Sequence, residues 1–220
     1  MSPHERESVC GVHVLADDAP QWKLDPVEQA RAACAGGVAV VQLRAKRATD
    51  RAALAWAAEI RRCTRASGAL FFVNDRFDLA LAAEADGVHL GQDDLPPARI
   101  PAHARGRLRV GLSTHSAEQL RAAEAQPVDY VAFGPVFGTR SKDSAYDARG
   151  LDALAEAARA AAPRPLIAIG GIDAERVGDV RRAGAAGIAV ISCVAAADDP
   201  AAATRELAAR WRRGLESARC

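Results

Sequence analysis

Leu166-Ile-Ala-Ile-Gly-Gly-Ile-Asp-Ala-Glu-Arg-Val-Gly-Asp-Val-Arg-Arg-Ala-Gly-Ala-Ala-Gly-Ile-Ala-Val-Ile-Ser192 places two short apolar runs, Leu166–Ile169 and Gly187–Ile191, on either side of a helical pattern at Ala174–Ala183. Neither run alternates apolar with polar residues, so neither reads as a strand with one wet face. Continuous runs of this kind belong to parallel strands covered on both faces, and parallel neighbours need a crossover such as the intervening helix. The stretch therefore reads as one βαβ unit.

The same unit repeats back to the N-terminus. Strands are predicted at Val12–Ala16, Val38–Leu43, Ala69–Val73, Gly87–Leu90, Arg109–Leu112 and Tyr130–Phe133, making eight with the two above. Helical patterns fall near Pro26–Ala35, Asp50–Ala66, Phe77–Ala83, Ala117–Ala125 and Asp152–Ala161, with a last one at Pro200–Leu215. Asp25-Pro26 and Asp199-Pro200 each put a capping residue before a proline suited to the first helical turn. Gly36-Gly37, Gly68 and Gly184 supply stops. Pro96–Ala104 is the weakest pattern, holding a short helical turn at most. Eight βα units in 220 residues, without a linker or low-complexity break, predict a single-domain α/β (β/α)8 TIM barrel over residues 1–220, with 1–10 and 216–220 peripheral. A doubly wound open sheet is the competing arrangement.

Composition fits a small, tightly packed barrel. Of the residues, 52 are Ala and only ten are aromatic (3 Trp, 2 Tyr, 5 Phe), so the core must be built from Val, Leu and Ile packed closely against Ala and Gly. With 29 Lys+Arg against 28 Asp+Glu, no basic excess exists to neutralise a run of phosphates, and nucleic acid is not an expected partner. The longest uncharged apolar stretch, Ala183–Ala197, is shorter than the roughly 20 residues that span a bilayer, so no membrane partner is expected. The polar N-terminus lacks the apolar core of a signal peptide, and a cytoplasmic location follows as the expectation. Five scattered cysteines without a Cys-x-x-Cys pair predict reduced, mostly buried thiols.

Active-site groups of such barrels project from the C-terminal ends of the strands, and here seven consecutive strand ends are polar or Gly-rich. The second carries Gln42-Leu43-Arg44-Ala45-Lys46, whose alternation puts an amide and two cations on one side, a set suited to an anionic ligand. Asn74-Asp75 follows the third, and His89-Leu-Gly-Gln-Asp-Asp94 the fourth. The fifth ends in Ser113-Thr-His-Ser116, the sixth in Gly134-Pro-Val-Phe-Gly-Thr-Arg-Ser-Lys142. Asn74-Asp75 could instead cap the next helix, and Asp93-Asp94 could be a turn before Pro96. Carboxylates beside a cationic pocket would repel a phosphate unless a metal bridged them, and carboxylate plus phosphate oxygens are what Mg²⁺ prefers. Gly170-Gly171 and Ile191-Ser192 occupy the place where barrels commonly build a phosphate site from backbone N–H groups and a following helix N-terminus. A second anion is thereby expected opposite the first.

Six ordered motifs, Gln42-x-Arg44-x-Lys46, Asn74-Asp75, Gly87 to Asp94, Gly111 to Ser116, Gly134 to Lys142 and Ile169 to Ile172, resemble the thiamine-phosphate synthase family over about residues 10 to 195. The resemblance implies a (β/α)8 barrel that joins 4-amino-2-methyl-5-(diphosphomethyl)pyrimidine to 4-methyl-5-(2-phosphoethyl)thiazole, or its carboxy form, releasing diphosphate. It assigns Gln42, Leu43, Arg44, Ala45, Lys46, Asn74, Ser113 and Lys142 to the pyrimidine diphosphate, with Arg44, Lys46 and Lys142 as catalytic cations. Asp75 and Asp94 would bind Mg²⁺. Thr139, Arg140, Ser141, Gly171, Ile191 and Ser192 would hold the thiazole phosphate. The implied chemistry is a dissociative substitution with no side-chain nucleophile, and a homo-oligomer is compatible with it. The lid departs from the family in carrying Gly138, Arg140 and Ser141, and the first strand matches only loosely. Three other readings compete: a thiazole tautomerase-like isomerase using His115, a non-catalytic phosphate-ligand binder, and a phosphosugar isomerase whose base would be His89, His115 or Asp17.

Overall fold

A computed structural model of the protein describes residues 9–138 and 146–216. Its strands are β1 (Gly11–Asp17), β2 (Val40–Arg44), β3 (Leu70–Asn74), β4 (Gly87–Leu90), β5 (Arg109–Thr114), β6 (Tyr130–Phe133), β7 (Leu166–Ile169) and β8 (Gly187–Val190). They pair in parallel in sequence order, and β1 closes the ring against β8, with Gly11 opposite Gly187 and Val14 opposite Val190. Closure excludes the open-sheet alternative. The helices are α1 (Pro26–Ala35), α2 (Asp50–Ser67), α3 (Phe77–Ala82), α4 (Ala102–Arg105), α5 (Ala117–Glu124), α6 (Gly150–Ala161), α7 (Val177–Arg182), α8 (Ser192–Ala195) and α9 (Pro200–Glu216).

The unbroken apolar runs are explained by burial on both faces. Val41, Leu43, Phe71, Val73, Val88, Leu90, Val110 and Ile188 join the shell under the helices, while Val40, Phe72, Tyr130, Ala132 and Ile167 fill the barrel interior. Tyr130 fits only because its neighbour across the β5–β6 ladder is Gly111, where a Cβ would overlap the phenol ring. Capping follows the predicted chemistry: Asp25 accepts from the Glu28 amide in a capping box, and Asp199 accepts from the Ala202 amide.

Several expectations shift. β2 starts at Val40, because Val38 follows the Gly36-Gly37 turn and still bonds back to the end of α1. β5 runs on to Thr114, whose hydroxyl donates to the Ala132 carbonyl at 2.8 Å. β8 stops at Val190, and Ser192 opens the short α8, which the apolar pattern concealed. Cys34, Cys63 and Cys193 are free thiols, each half-buried instead of enclosed in the core. Among the described residues no helix is long and apolar enough to cross a membrane.

Candidate active site

The C-terminal mouth of the barrel gathers the predicted groups. Gln42 and Arg44 alternate toward the interior of β2; Gln42 is buried beside Leu15 and Phe72 in the strand register, and its Oε1 has no partner among the described residues. A buried carboxamide oxygen left unpaired carries a desolvation cost, which a donor on a ligand would relieve. Arg44, mostly buried, donates from its guanidinium to the Asp17 carboxylate at 2.7 Å. Lys46 lies beyond the strand end, and its ammonium forms an ion pair with Asp75. Leu43 faces the opposite way, into the shell under the helices, and Ala45 packs partly buried beside it, so neither side chain belongs to the polar set.

Asn74 is the last residue of β3, and Asp75 follows in the left-handed region at φ 67°. Few side chains adopt that conformation, although Asp and Asn do so more readily than most. It turns the chain so that the Asp75 amide donates to the His89 carbonyl at 2.8 Å. Neither residue caps α3: the cap position is Arg76, without a side-chain cap bond. Instead the Asp75 carboxyl shares a hydrogen bond with Asp94, whose Oδ2 also accepts from the Gly91 amide. Burial raises the Asp75 pKa above its ordinary value, Lys46 opposes the shift, and the bonded Asp94 adds to it. Two carboxyls this close favour a cation between them or a proton on one. Among the described residues no third His, Cys, Asp or Glu joins the pair.

Ser113 is buried on β5 with its Oγ 2.8 Å from His89 Nε2, and His89 Nδ1 lies 2.8 Å from the Tyr130 hydroxyl. Burial drives the Tyr130 pKa far upward, and its phenol hydroxyl can donate to Nδ1 or accept from it. The imidazole is held between Tyr130 and Ser113, and its tautomer sets which group donates in each bond. Of its neighbours, Thr114 ties β5 to β6 and Ser116 caps α5 through the Gln119 amide. The stacking of Tyr130 on His89, with His13 edge-on behind, fills the floor below the mouth.

On the far side, Gly170 and Gly171 have φ of 91° and 65°, and a Cβ on either would collide with Pro135 or with Phe137 and the Gly138 carbonyl. The chain thus passes where only glycine fits. No helix follows Gly171 closely, since α7 starts at Val177, and Arg176 donates to the Gly171 carbonyl while stacking on Phe137 at 4.6 Å; the helix N-terminus on this side is that of the short α8, opened by Ser192. Ile191 packs with Leu15 and Ala195, and Ser192 is exposed at the start of α8. Thr139, Arg140, Ser141 and Lys142 lie outside the described residues. Sequence reasoning missed Arg176 and the Asp17–Arg44 pair; the latter joins residues 27 apart and needs the β1–β2 register to be seen.

All three candidate bases of an isomerase are engaged. Both Asp17 oxygens and both His89 nitrogens are hydrogen-bonded, and His115 gives Nδ1 to the Gly134 carbonyl and stacks on Tyr146 at 4.0 Å.

Residues 11–194 match the family model described as thiamine monophosphate synthase. A thiamine-phosphate synthase of Anaeromyxobacter dehalogenans is 46% identical over 215 residues, covering 97% of this chain and 93% of that one. Another, of Methanoculleus marisnigri, is 46% identical and covers 89% and 92% respectively. Among solved structures, thiamine phosphate pyrophosphorylase from Pyrococcus furiosus superposes with a TM-score of 0.85 at 34% identity, over 96% of this chain and 99% of that one.

Proposed function

The chain belongs to the thiamine monophosphate synthase family and is a transferase, and from that premise we propose that it couples 4-amino-2-methyl-5-(diphosphomethyl)pyrimidine to 4-methyl-5-(2-phosphoethyl)thiazole, or, with loss of CO2, to its carboxy form, releasing diphosphate. The observation that carries this proposal is the cluster at the ends of β2, β3 and β4: Arg44 and Lys46 beside a bonded Asp75–Asp94 pair. Cations and carboxylates in one mouth suit a diphosphate together with a divalent cation.

Asp75 and Asp94 fit Mg²⁺, since two hard oxygen donors leave further positions for substrate phosphate and water. When bound, the ion supplies Lewis-acid stabilisation of the departing diphosphate. The chain's own residues do the rest. Gln42, with its unpaired buried oxygen, and Asn74 and Ser113 receive the pyrimidine end. Arg44 and Lys46, with Lys142, hold the diphosphate as the carbon–oxygen bond to the pyrimidine methylene breaks and its electron pair leaves with the phosphate. The thiazole nitrogen then donates its lone pair to the methylene carbon. The Gly170-Gly171 turn, Ile191 and Ser192, with Thr139, Arg140 and Ser141, hold the acceptor's phosphate at the required distance. No side-chain nucleophile or base enters, in keeping with the engagement of His89, His115 and Asp17. Catalysis is positioning plus stabilisation of a leaving anion.

The test incubates the purified protein with both substrates and Mg²⁺, and with each component omitted in turn, following thiamine phosphate by mass spectrometry. Product is expected only when all three are present. A folded protein that forms none under those conditions overturns the proposal.

A further inference from the structure

We propose that Asp17 is a positioning residue that holds the Arg44 guanidinium ready for the diphosphate; the inference rests on the diphosphate reading of Arg44 given above. The Asp17 side chain is wholly buried at the end of β1, directly opposite Arg44 in the strand register. Its Oδ1 accepts from Arg44 at 2.7 Å and its Oδ2 from the Trp22 indole N–H at 2.8 Å. Donors from two separate segments therefore occupy both oxygens. The backbone at this point is pinned as firmly: the buried Gln29 amide accepts from the Asp17 N–H at 3.0 Å and donates to the Asp17 and Leu24 carbonyls at 2.9 and 2.8 Å.

A carboxylate buried in this way strongly disfavours separation from its cation. Arg44 is thus fixed before any ligand arrives, and because a guanidinium has five N–H donors, one edge can serve Asp17 while the others face the mouth. The adjacent Asp18 acts similarly on the backbone, accepting from the amides of Lys46 at 3.0 Å and of Arg47 and Ala48 at 2.8 Å each. The end of the loosely matching first strand is in this way the support for both cations of the second. Ordering long side chains in advance removes that entropic cost from the binding step.

Calorimetric titration of inorganic diphosphate with Mg²⁺ into the wild type, Asp17→Asn, Arg44→Gln and the double variant tests this, together with KM for each substrate. Asp17→Asn is expected to weaken diphosphate binding by roughly ten- to a hundredfold, the scale of a charge-assisted hydrogen bond. It should raise KM for the pyrimidine diphosphate and leave KM for the thiazole phosphate unchanged. In the Arg44→Gln background the same substitution should add less than about twofold, because a residue acting through Arg44 has nothing left to position. Equal losses in both backgrounds, or unchanged binding in Asp17→Asn, overturn the inference. A folded wild type that binds no diphosphate overturns the parent reading and this one with it. Should Asp17→Asn not fold, Trp22→Phe removes only the indole donor; roughly two- to tenfold weaker diphosphate binding is expected, and unchanged binding overturns the inference.

Discussion

Asp75 is the residue on which most depends, held at φ 67° with its carboxyl against Lys46 and Asp94. Asp75→Ala and Asp94→Ala should each lower turnover at least a hundredfold, the loss of about 3 kcal/mol of transition-state stabilisation. Both should weaken the pyrimidine diphosphate far more than the thiazole phosphate. Steady-state kinetics with each substrate varied separately checks this, and equal effects on both substrates would contradict the assignment. His13 gives a pH prediction. Burial lowers its pKa from the usual 6.5 to about 4, against a smaller opposing contribution from its bond to the Val9 carbonyl. The native state therefore binds fewer protons than the unfolded chain between those values, so stability is full above pH 6.5 and declines as the pH falls toward 4. The loss should approach about 3 kcal/mol. Urea unfolding of the wild type and His13→Leu across that range should show a flatter acid slope in the variant. At this scale the carboxylates and cations were legible because motif and strand end coincide. Tyr130 was not, since its partner His89 lies 41 residues away and two strands round the barrel; Asp17 was legible only as a candidate base, because its pairing with Arg44, 27 residues on, depends on the β1–β2 register.

Among the elements, the β7 end is where the proposed acceptor-phosphate site rests on backbone shape. Gly171→Ala forces a Cβ against Phe137 and the Gly138 carbonyl at a φ of 65°. A destabilisation of roughly 1–3 kcal/mol is expected, with KM for the thiazole phosphate raised and KM for the pyrimidine diphosphate nearly unchanged. Thermal unfolding and kinetics together check it; a rise confined to the pyrimidine substrate would reassign the turn. The glycine pair was visible in sequence because its composition announces close approach. The absence of a helix directly behind it was not, because Ala174–Arg176 fits a helical pattern although α7 begins only at Val177. Likewise α8 hides inside an apolar run that suits strand and helix equally.

For the whole molecule, barrel closure decides where the chemistry can lie. The strand order from β1 to β8 brings the ends of β2, β3 and β4 to one side of the mouth and those of β7 and β8 to the other. Eight repeats of one unit made this architecture readable, since each apolar run could be checked against seven others. The last helix completes the wall: Thr204, Leu207, Ala208 and Trp211 of α9 are buried, and Gly36 leaves room for Thr204, with which a Cβ would overlap. Truncation before Pro200 should therefore abolish the cooperative thermal transition, as followed by circular dichroism. The central claim is that one mouth holds two anions on opposite sides, with a metal at the first. A crystal structure with diphosphate, Mg²⁺ and thiamine phosphate measures this most directly. It should show diphosphate on Arg44 and Lys46, the metal on Asp75 and Asp94, and the thiamine phosphate's phosphate at Gly171 and Ser192. A metal bound away from the two aspartates, or both anions on the same side, would contradict the account.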